Sequence, residues 1–181
     1  MPEDEIFTKA VHAGEDPETY HGALSVPIYQ SAVFSFPDAE AGAAIHEGEK
    51  PGYFYGRMGN PTQAALERAV CELEGGQEAL AFSSGMAAIS TTLMSLLKPG
   101  HHVVVPEALY ATTDTFFAEM LVPFGIKVTQ VDPTDPSRYL TAIRPETKLF
   151  YLESPAHVRT LPTLAAEGTS RRIFRGRPVR L

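Results

Sequence analysis

One cysteine, Cys71, stands among 181 residues. A lone thiol builds neither a disulfide framework nor a thiolate metal set, so no metal centre is expected. Its place inside a helical pattern suits core or half-buried packing, in a reducing cytoplasm. No apolar run approaches the roughly 20 residues that a bilayer-spanning helix needs. The N-terminal charges, Glu3-Asp4-Glu5, are acidic, the opposite of a secretory leader, and no membrane partner is expected. Cations are scarce over most of the length: residues 1–156 hold nine Lys/Arg against 21 Asp/Glu, a balance of −12. Lysine is limited to Lys9, Lys50, Lys98, Lys127 and Lys148. The balance then reverses, because residues 157–181 carry six Arg, no Lys and one Glu, or +5. Such a break at one position is unusual within a single domain.

The length allows one domain, or one domain plus an arm, with a real core. Residues 1 to about 50 are rich in turn formers and read as an extended arm, with a short helix expected over Asp38–Glu47, ending at Gly48. A glycine- and aromatic-rich loop follows, from Pro51 to Asn60. Asn60 is a candidate N-cap with Pro61 at the first helical position. Leu66, Val70 and Leu73 fall on one face of that helix, and Gly75-Gly76 ends it. From there the chain alternates: strand Ala79–Phe82, helix Met86–Leu97, strand His102–Val105, helix from about Thr112 to Leu121, strand Lys127–Val131, helix or turn Pro136–Ile143, strand Lys148–Leu152. Alternation of this kind predicts an α/β fold with a mostly parallel sheet. Ligands gather at the carboxyl ends of such strands. Three of those ends carry chemistry-bearing turns: Ser83-Ser84-Gly85-Met86, Pro106-Glu107-Ala108-Leu109-Tyr110 and Glu153-Ser154-Pro155.

The first of these turns is the most informative. Small residues between a strand and a helix leave backbone N–H groups unpaired at the positive end of a helix dipole, which suits a phosphate. An ordinary helix capped by serine reads the same way. A phosphate would want a cation and a hydroxyl, and Tyr55 and Arg57 supply both types from the glycine-rich loop. Tyr110 could lay its ring against a flat heteroaromatic ligand. Tyr110 in a core and Arg57 paired with a surface carboxylate are the plainer alternatives.

Taken together, Tyr55-Gly56-Arg57-Met58-Gly59-Asn60-Pro61-Thr62, Ser83-Ser84-Gly85-Met86-Ala87-Ala88, Leu109-Tyr110 and Glu153-Ser154-Pro155-Ala156 resemble one family. It is the Cys/Met-metabolism, or transsulfuration, family of pyridoxal-phosphate enzymes. Its members include cystathionine γ-synthase, methionine γ-lyase and O-acylhomoserine sulfhydrylase. Thr8-Lys9-Ala10-Val11-His12-Ala13-Gly14 and Val26-Pro27-Ile28-Tyr29-Gln30-Ser31 match as well, so the resemblance runs from about residue 6 to 156. It implies fold type I of the pyridoxal-phosphate enzymes, an aspartate-aminotransferase-like large domain, cut short here. The divisions expected are an arm and inter-subunit loop over 1–60, part of the cofactor domain over 61–156, and an Arg-rich tail over 157–181. By the same resemblance Ser84, Gly85 and Met86 hold the cofactor phosphate, and Tyr55 and Arg57 reach it from a neighbouring subunit of a homo-oligomer. Tyr110 stacks on the pyridine and serves as an acid–base residue. The implied substrate is a sulfur amino acid or an O-acylhomoserine, undergoing β/γ-elimination or γ-replacement. Thr112 stands near where methionine γ-lyases of the best-known kind carry cysteine, which counts against that subtype.

The match breaks at His157, where the family has asparagine, and nothing in 157–181 follows the family pattern. The Schiff-base lysine, the aspartate facing the pyridine nitrogen and the arginine that grips the substrate carboxylate have no counterpart here. Without that lysine the chain as it stands is expected to be inactive. A frameshift or truncation is the favoured origin of the tail. A genuine basic tail that binds nucleic acid or a partner is the second possibility, and a divergent terminus the third. No nucleic-acid partner is expected on balance. The alternative function, of a different class, is a non-catalytic regulatory or interaction module that keeps the fold.

Overall fold

A computed structural model describes residues 3–154, in two compact units that divide between Phe82 and Ser83. His157 and the Arg-rich segment 157–181 lie outside the described residues, as do Pro155 and Ala156.

The first unit holds three helices, α1 (Glu3–His12), α2 (Ala39–His46) and α3 (Pro61–Glu74). Asn60 starts α3 as its sequence predicts: its Oδ1 accepts the Thr62 N–H at 2.9 Å and Pro61 takes the first position. Gly75 ends it in the left-handed region, φ 62°, with its N–H turned back to the carbonyls of Cys71 and Glu72. Asp38 caps α2 by accepting the Ala41 N–H at 2.8 Å. α1 is an element the arm reading lacked; Lys9 and His12 in its last turn complement the helix dipole. It packs on α3, and at the junction Gly14 has φ +78° with the Ala65 carbonyl where a Cβ would stand. Arg68 of α3 donates to the Tyr20 hydroxyl at 2.8 Å and so ties the intervening turn down.

Two expectations change here. The packing side of α3 is Pro61 and Ala65, whereas Leu66 and Val70 are 56% and 43% exposed. α1 and the Gly14 turn occupy the small-residue side, where backbones approach closely, and the larger apolar residues remain outside. The segment 79–82 is not a strand. Ala81 gives its N–H to the Glu67 carboxylate at 2.8 Å and Leu80 is 75% exposed, so the segment has neither a ladder nor burial.

The second unit begins with α4 (Gly85–Leu96) and is built on a three-stranded parallel sheet. β1 (His102–Pro106) lies at the centre, between β2 (Lys127–Val131) and β3 (Thr147–Phe150). His102 faces Lys127 on one side and Thr147 on the other. Every residue of β1 is buried, because both faces of the sheet are covered. Val103 and Val105 join Leu93, Leu97, Phe117 and Leu121 on one face, and Val104 joins Val131 and Tyr139 on the other. The crossover after β1 is α5 (Ala111–Phe116) running into a π-helical turn over Phe117–Leu121, rather than one regular helix. The wider turn, closed from Val122 N–H to the Phe117 carbonyl at 2.9 Å, buries Phe117 and Leu121 together. α6 (Pro136–Thr141) links β2 to β3, capped by Asp135. β3 stops two residues short of its expected end.

Candidate cofactor site

Ser84 is in extended backbone, φ −159°, and its hydroxyl oxygen accepts the Ala87 N–H at 3.1 Å. The first intrahelical bond of α4 is Ala88 N–H to the Ser84 carbonyl, 3.1 Å. The N–H groups of Gly85 and Met86 precede that bond and therefore have no partner within the helix. A Cβ built on Gly85 meets nothing within 4 Å, so a ligand atom has room beside those donors. Ser84 keeps its hydroxyl hydrogen for donation, because the cap uses only its oxygen. The turn is a helix start capped by serine, and the cap leaves two backbone donors without a partner in the helix and the hydroxyl hydrogen unused by the cap; no strand leads into it. The donor set fits a phosphate.

Tyr110 sits at the N-cap position of α5, just past the carboxyl end of β1, and the residue is 42% exposed. Its backbone is held at both ends. The carbonyl accepts the Asp114 N–H at 3.0 Å, and the N–H donates to Glu153 Oε2 at 2.8 Å. The other oxygen of Glu153 accepts the Tyr151 hydroxyl at 2.8 Å. Burial, then the bond to Glu153 and its charge, push the Tyr151 phenol well above the ordinary tyrosine range, and the Thr113 hydroxyl beside it pulls the other way. Thr113 is itself fully buried and lies 3.8 Å from Met86 Sδ. Met86, Thr113, Tyr151, Glu153 and Tyr110 thus form one connected set behind the carboxyl ends of β1 and β3.

Tyr55 and Arg57 belong to the first unit. The Arg57 guanidinium stands over the Tyr55 ring, 4.6 Å from its centroid, so the two side chains present a hydroxyl and a cation together. An antiparallel bridge between Val33 and Tyr55, with Gly56 N–H bonded to the Ala32 carbonyl at 2.8 Å, anchors the loop at one end. At the other end Asn60 Nδ2 donates to the Tyr29 carbonyl and Thr62 Oγ1 donates to that of Pro27, both at 2.9 Å. The Val26–Ser31 and Asn60–Thr62 motifs are therefore one structural device, which sets the base of the Tyr55–Arg57 loop.

Glu153, Thr113 and Tyr151 were not among the residues expected to matter. The turn containing Glu153 was, but a carboxylate reaching a backbone N–H 43 residues earlier leaves no local signal. His102 is a second omission. It is fully buried at the amino end of β1, with Nδ1 2.7 Å from Thr147 Oγ1 and Nε2 2.8 Å from Thr129 Oγ1. Desolvation foremost, with Arg144 and Lys127 adding and Glu146 opposing, lowers its pKa. An open cleft of about 590 Å³ between β2 and α6 is lined by Thr129, Gln130, Arg138 and Arg144, and by neither Ser84, Gly85 and Met86 nor Tyr110.

A parallel α/β sheet with an open helix start beside it in sequence and a half-exposed tyrosine past the end of its central strand has the layout of a ligand-binding α/β domain. Similarity to known proteins shows its family. Residues 7–162 match the model of the Cys/Met metabolism PLP-dependent enzymes, and the chain belongs to that family. The family is pyridoxal-phosphate dependent and works in sulfur amino-acid metabolism. The chain is 45% identical over 150 residues to an L-methionine gamma-lyase of Pseudomonas putida, covering 83% of this chain and 38% of that protein. It is 40% identical to a probable cystathionine gamma-synthase of Herpetosiphon aurantiacus, covering 83% and 44%. The crystal structure of metB from Corynebacterium glutamicum superposes with a TM-score of 0.76 at 36% identity, covering 84% of this chain and 38% of that one. The chain thus spans about two fifths of the length of the relatives it matches. Among the described residues no helix is long and apolar enough to cross a membrane.

Proposed function

We propose that this chain provides the phosphate-holding part of a pyridoxal 5′-phosphate site, in a protein that carries out β/γ-elimination or γ-replacement on a sulfur amino acid or an O-acylhomoserine. The observation that carries the reading is the open start of α4, where the Gly85 and Met86 N–H groups have no partner within the helix and the space at the Gly85 Cβ position is empty. When bound, the cofactor supplies an electron sink for cleavage of the amino acid's bonds. Gly85 and Met86 would grip the phosphate through their N–H groups and Ser84 through its O–H. Tyr110 would lie against the pyridine and move a proton at its phenol oxygen. Tyr55 and Arg57 would reach the phosphate from a neighbouring copy in a homo-oligomer, presenting a hydroxyl and a fork of cationic donors.

The chain as it stands would not turn over. Of its lysines in the second unit, Lys98 follows the end of α4, Lys127 opens β2 in a 3.0 Å pair with Glu146, and Lys148 lies exposed on β3. None is at the carboxyl ends where Tyr110 sits, so none is placed to hold the cofactor's aldehyde.

Titration of pyridoxal 5′-phosphate into the purified chain, followed by absorbance, tests the site. Saturable binding is expected, weakened at least tenfold by Gly85→Asp, which puts a carboxylate beside the donors. Arg57→Ala removes a charge-assisted contact of about 1.5–3 kcal/mol and should weaken binding about tenfold or more. Deleting residues 157–181 should change nothing. Loss of binding on that deletion, with Gly85→Asp unaffected, would mean non-specific attraction to arginines and would end the cofactor assignment. Turnover of L-methionine, L-cystathionine or O-acetylhomoserine plus sulfide above the free-cofactor background would refute the claim of inactivity.

A further inference from the structure

We propose that Glu153 is the positioning residue for Tyr110, a two-pronged carboxylate that fixes where the Tyr110 ring stands by bonding its backbone N–H with one oxygen while the Tyr151 hydroxyl holds the other. The proposal rests on the cofactor reading above and assigns the part of that site that aims the ring.

An N-cap residue offers its carbonyl to the helix but not its N–H, which lies outside the helical ladder. In Tyr110 that N–H is taken by Glu153 at 2.8 Å. With the carbonyl held by Asp114 N–H at 3.0 Å, the backbone on both sides of the Tyr110 Cα is pinned, and the ring can move only by its own side-chain torsions. Glu153 is itself anchored. Tyr151, two residues before it, gives its N–H to the Val104 carbonyl of β1 at 3.0 Å and sets its ring edge-on to Phe117, centroids 5.6 Å apart. The Tyr151 hydroxyl then meets Glu153 Oε1 at 2.8 Å. The prong that holds Tyr110 is therefore referenced to the sheet and the core rather than to a surface loop. Thr113 extends the same reference to Met86. An ionised carboxylate accepts on both oxygens, which is what two donors arriving from different elements require. An amide in its place accepts on one atom only, though the Tyr151 hydroxyl can reverse and accept from the amide nitrogen.

Two measurements on the full chain test this, with Glu153→Ala and Glu153→Gln. The first needs no cofactor. Hydrogen exchange at the Tyr110 amide, resolved in tyrosine-labelled protein, should be at least about tenfold slower in the wild type than in Glu153→Ala, with core amides of β1 unchanged. Glu153→Gln should fall near the wild type. Equal exchange in wild type and Glu153→Ala overturns the proposal. The second adds pyridoxal 5′-phosphate and reads affinity with the circular dichroism induced in its visible band. Glu153→Ala should weaken binding about tenfold and diminish or invert that signal, with Glu153→Gln restoring most of both. Binding lost in Gly85→Asp but unaltered in Glu153→Ala, in strength and in dichroism, overturns the positioning role alone. Absence of saturable binding in the wild type removes the cofactor reading, and the exchange measurement alone then decides whether Glu153 holds Tyr110.

Discussion

Thr113 Oγ1 stands 3.8 Å from Met86 Sδ, so the first turns of α4 and α5 share one fully buried hydroxyl. The same hydroxyl borders the Tyr151 phenol. Thr113→Val keeps the shape and removes the polar atom, leaving a raised-pKa phenol with one neighbour fewer. A loss of about 1–2 kcal/mol is expected, read as a lower urea midpoint with an unchanged slope. An unchanged midpoint would mean the hydroxyl is a passenger.

The bridge made by His102 carries a pH dependence whose sign follows from its burial. A neutral imidazole offers one donor and one acceptor to Thr147 and Thr129, and Arg144 already donates to both hydroxyl oxygens, through its backbone N–H at 2.8 Å and its guanidinium at 2.9 Å. Protonation would add a cation beside Arg144 and Lys127, against Glu146 alone. The folded-state pKa is lowered from its ordinary 6.5, so the unfolded chain binds the proton more readily. Stability is then fully present above pH 6.5 and falls as pH drops below it. Denaturant midpoints from pH 8 to 5 should decline in the wild type and decline less in His102→Gln. Parallel curves for the two would remove His102 as the cause.

What was legible in the sequence was what local chemistry writes there. Asn60-Pro61 and Gly75 bound α3, Ser84 starts α4, and the β1 and β2 runs appear at their expected places because β-branched runs between turn formers are local signals. The family motifs were legible for the same reason, each being a short device such as the Asn60–Tyr29 tie. Long-range choices were not. Nothing in Ala79-Leu80-Ala81-Phe82 states that it has no ladder, and the apolar stripe of Leu66 and Val70 states a period but not whether anything covers it. Glu153 finds Tyr110, and His102 finds two threonines, only after the parallel sheet brings β3 and β2 to either side of β1.

Leu66 and Val70 leave a half-exposed apolar stripe one turn apart on α3, and α1 adds Phe7 and Val11 at 70% and 68% exposure. Exposed apolar area of this kind promotes association. The chain should sediment as concentration-dependent oligomers rather than as a monomer, and Leu66→Glu with Val70→Glu should shift the distribution towards monomer without altering its far-ultraviolet dichroism. A monodisperse wild-type monomer at all concentrations would count against the stripe as a contact surface.

Gly14 and Gly48 allow the close approach of α1 and α3 to be separated from backbone strain. Both have left-handed backbone, φ +78° and +77°. At Gly48 a Cβ meets nothing within 4 Å, whereas at Gly14 it strikes the Ala65 carbonyl, with the Ala69 Cβ and N each 3.0 Å away. Alanine at either position carries the left-handed penalty of about 1–2 kcal/mol. Only at Gly14 does it also force α3 away, and carbonyl and helix backbone cannot yield as a flexible side chain would. Gly48→Ala should therefore lower stability by about 1–2 kcal/mol, and Gly14→Ala by clearly more, with loss of the Arg68–Tyr20 bond that spans the same junction. Denaturation of the two variants side by side decides it. Equal losses would mean that α1 does not seat on α3 at this glycine.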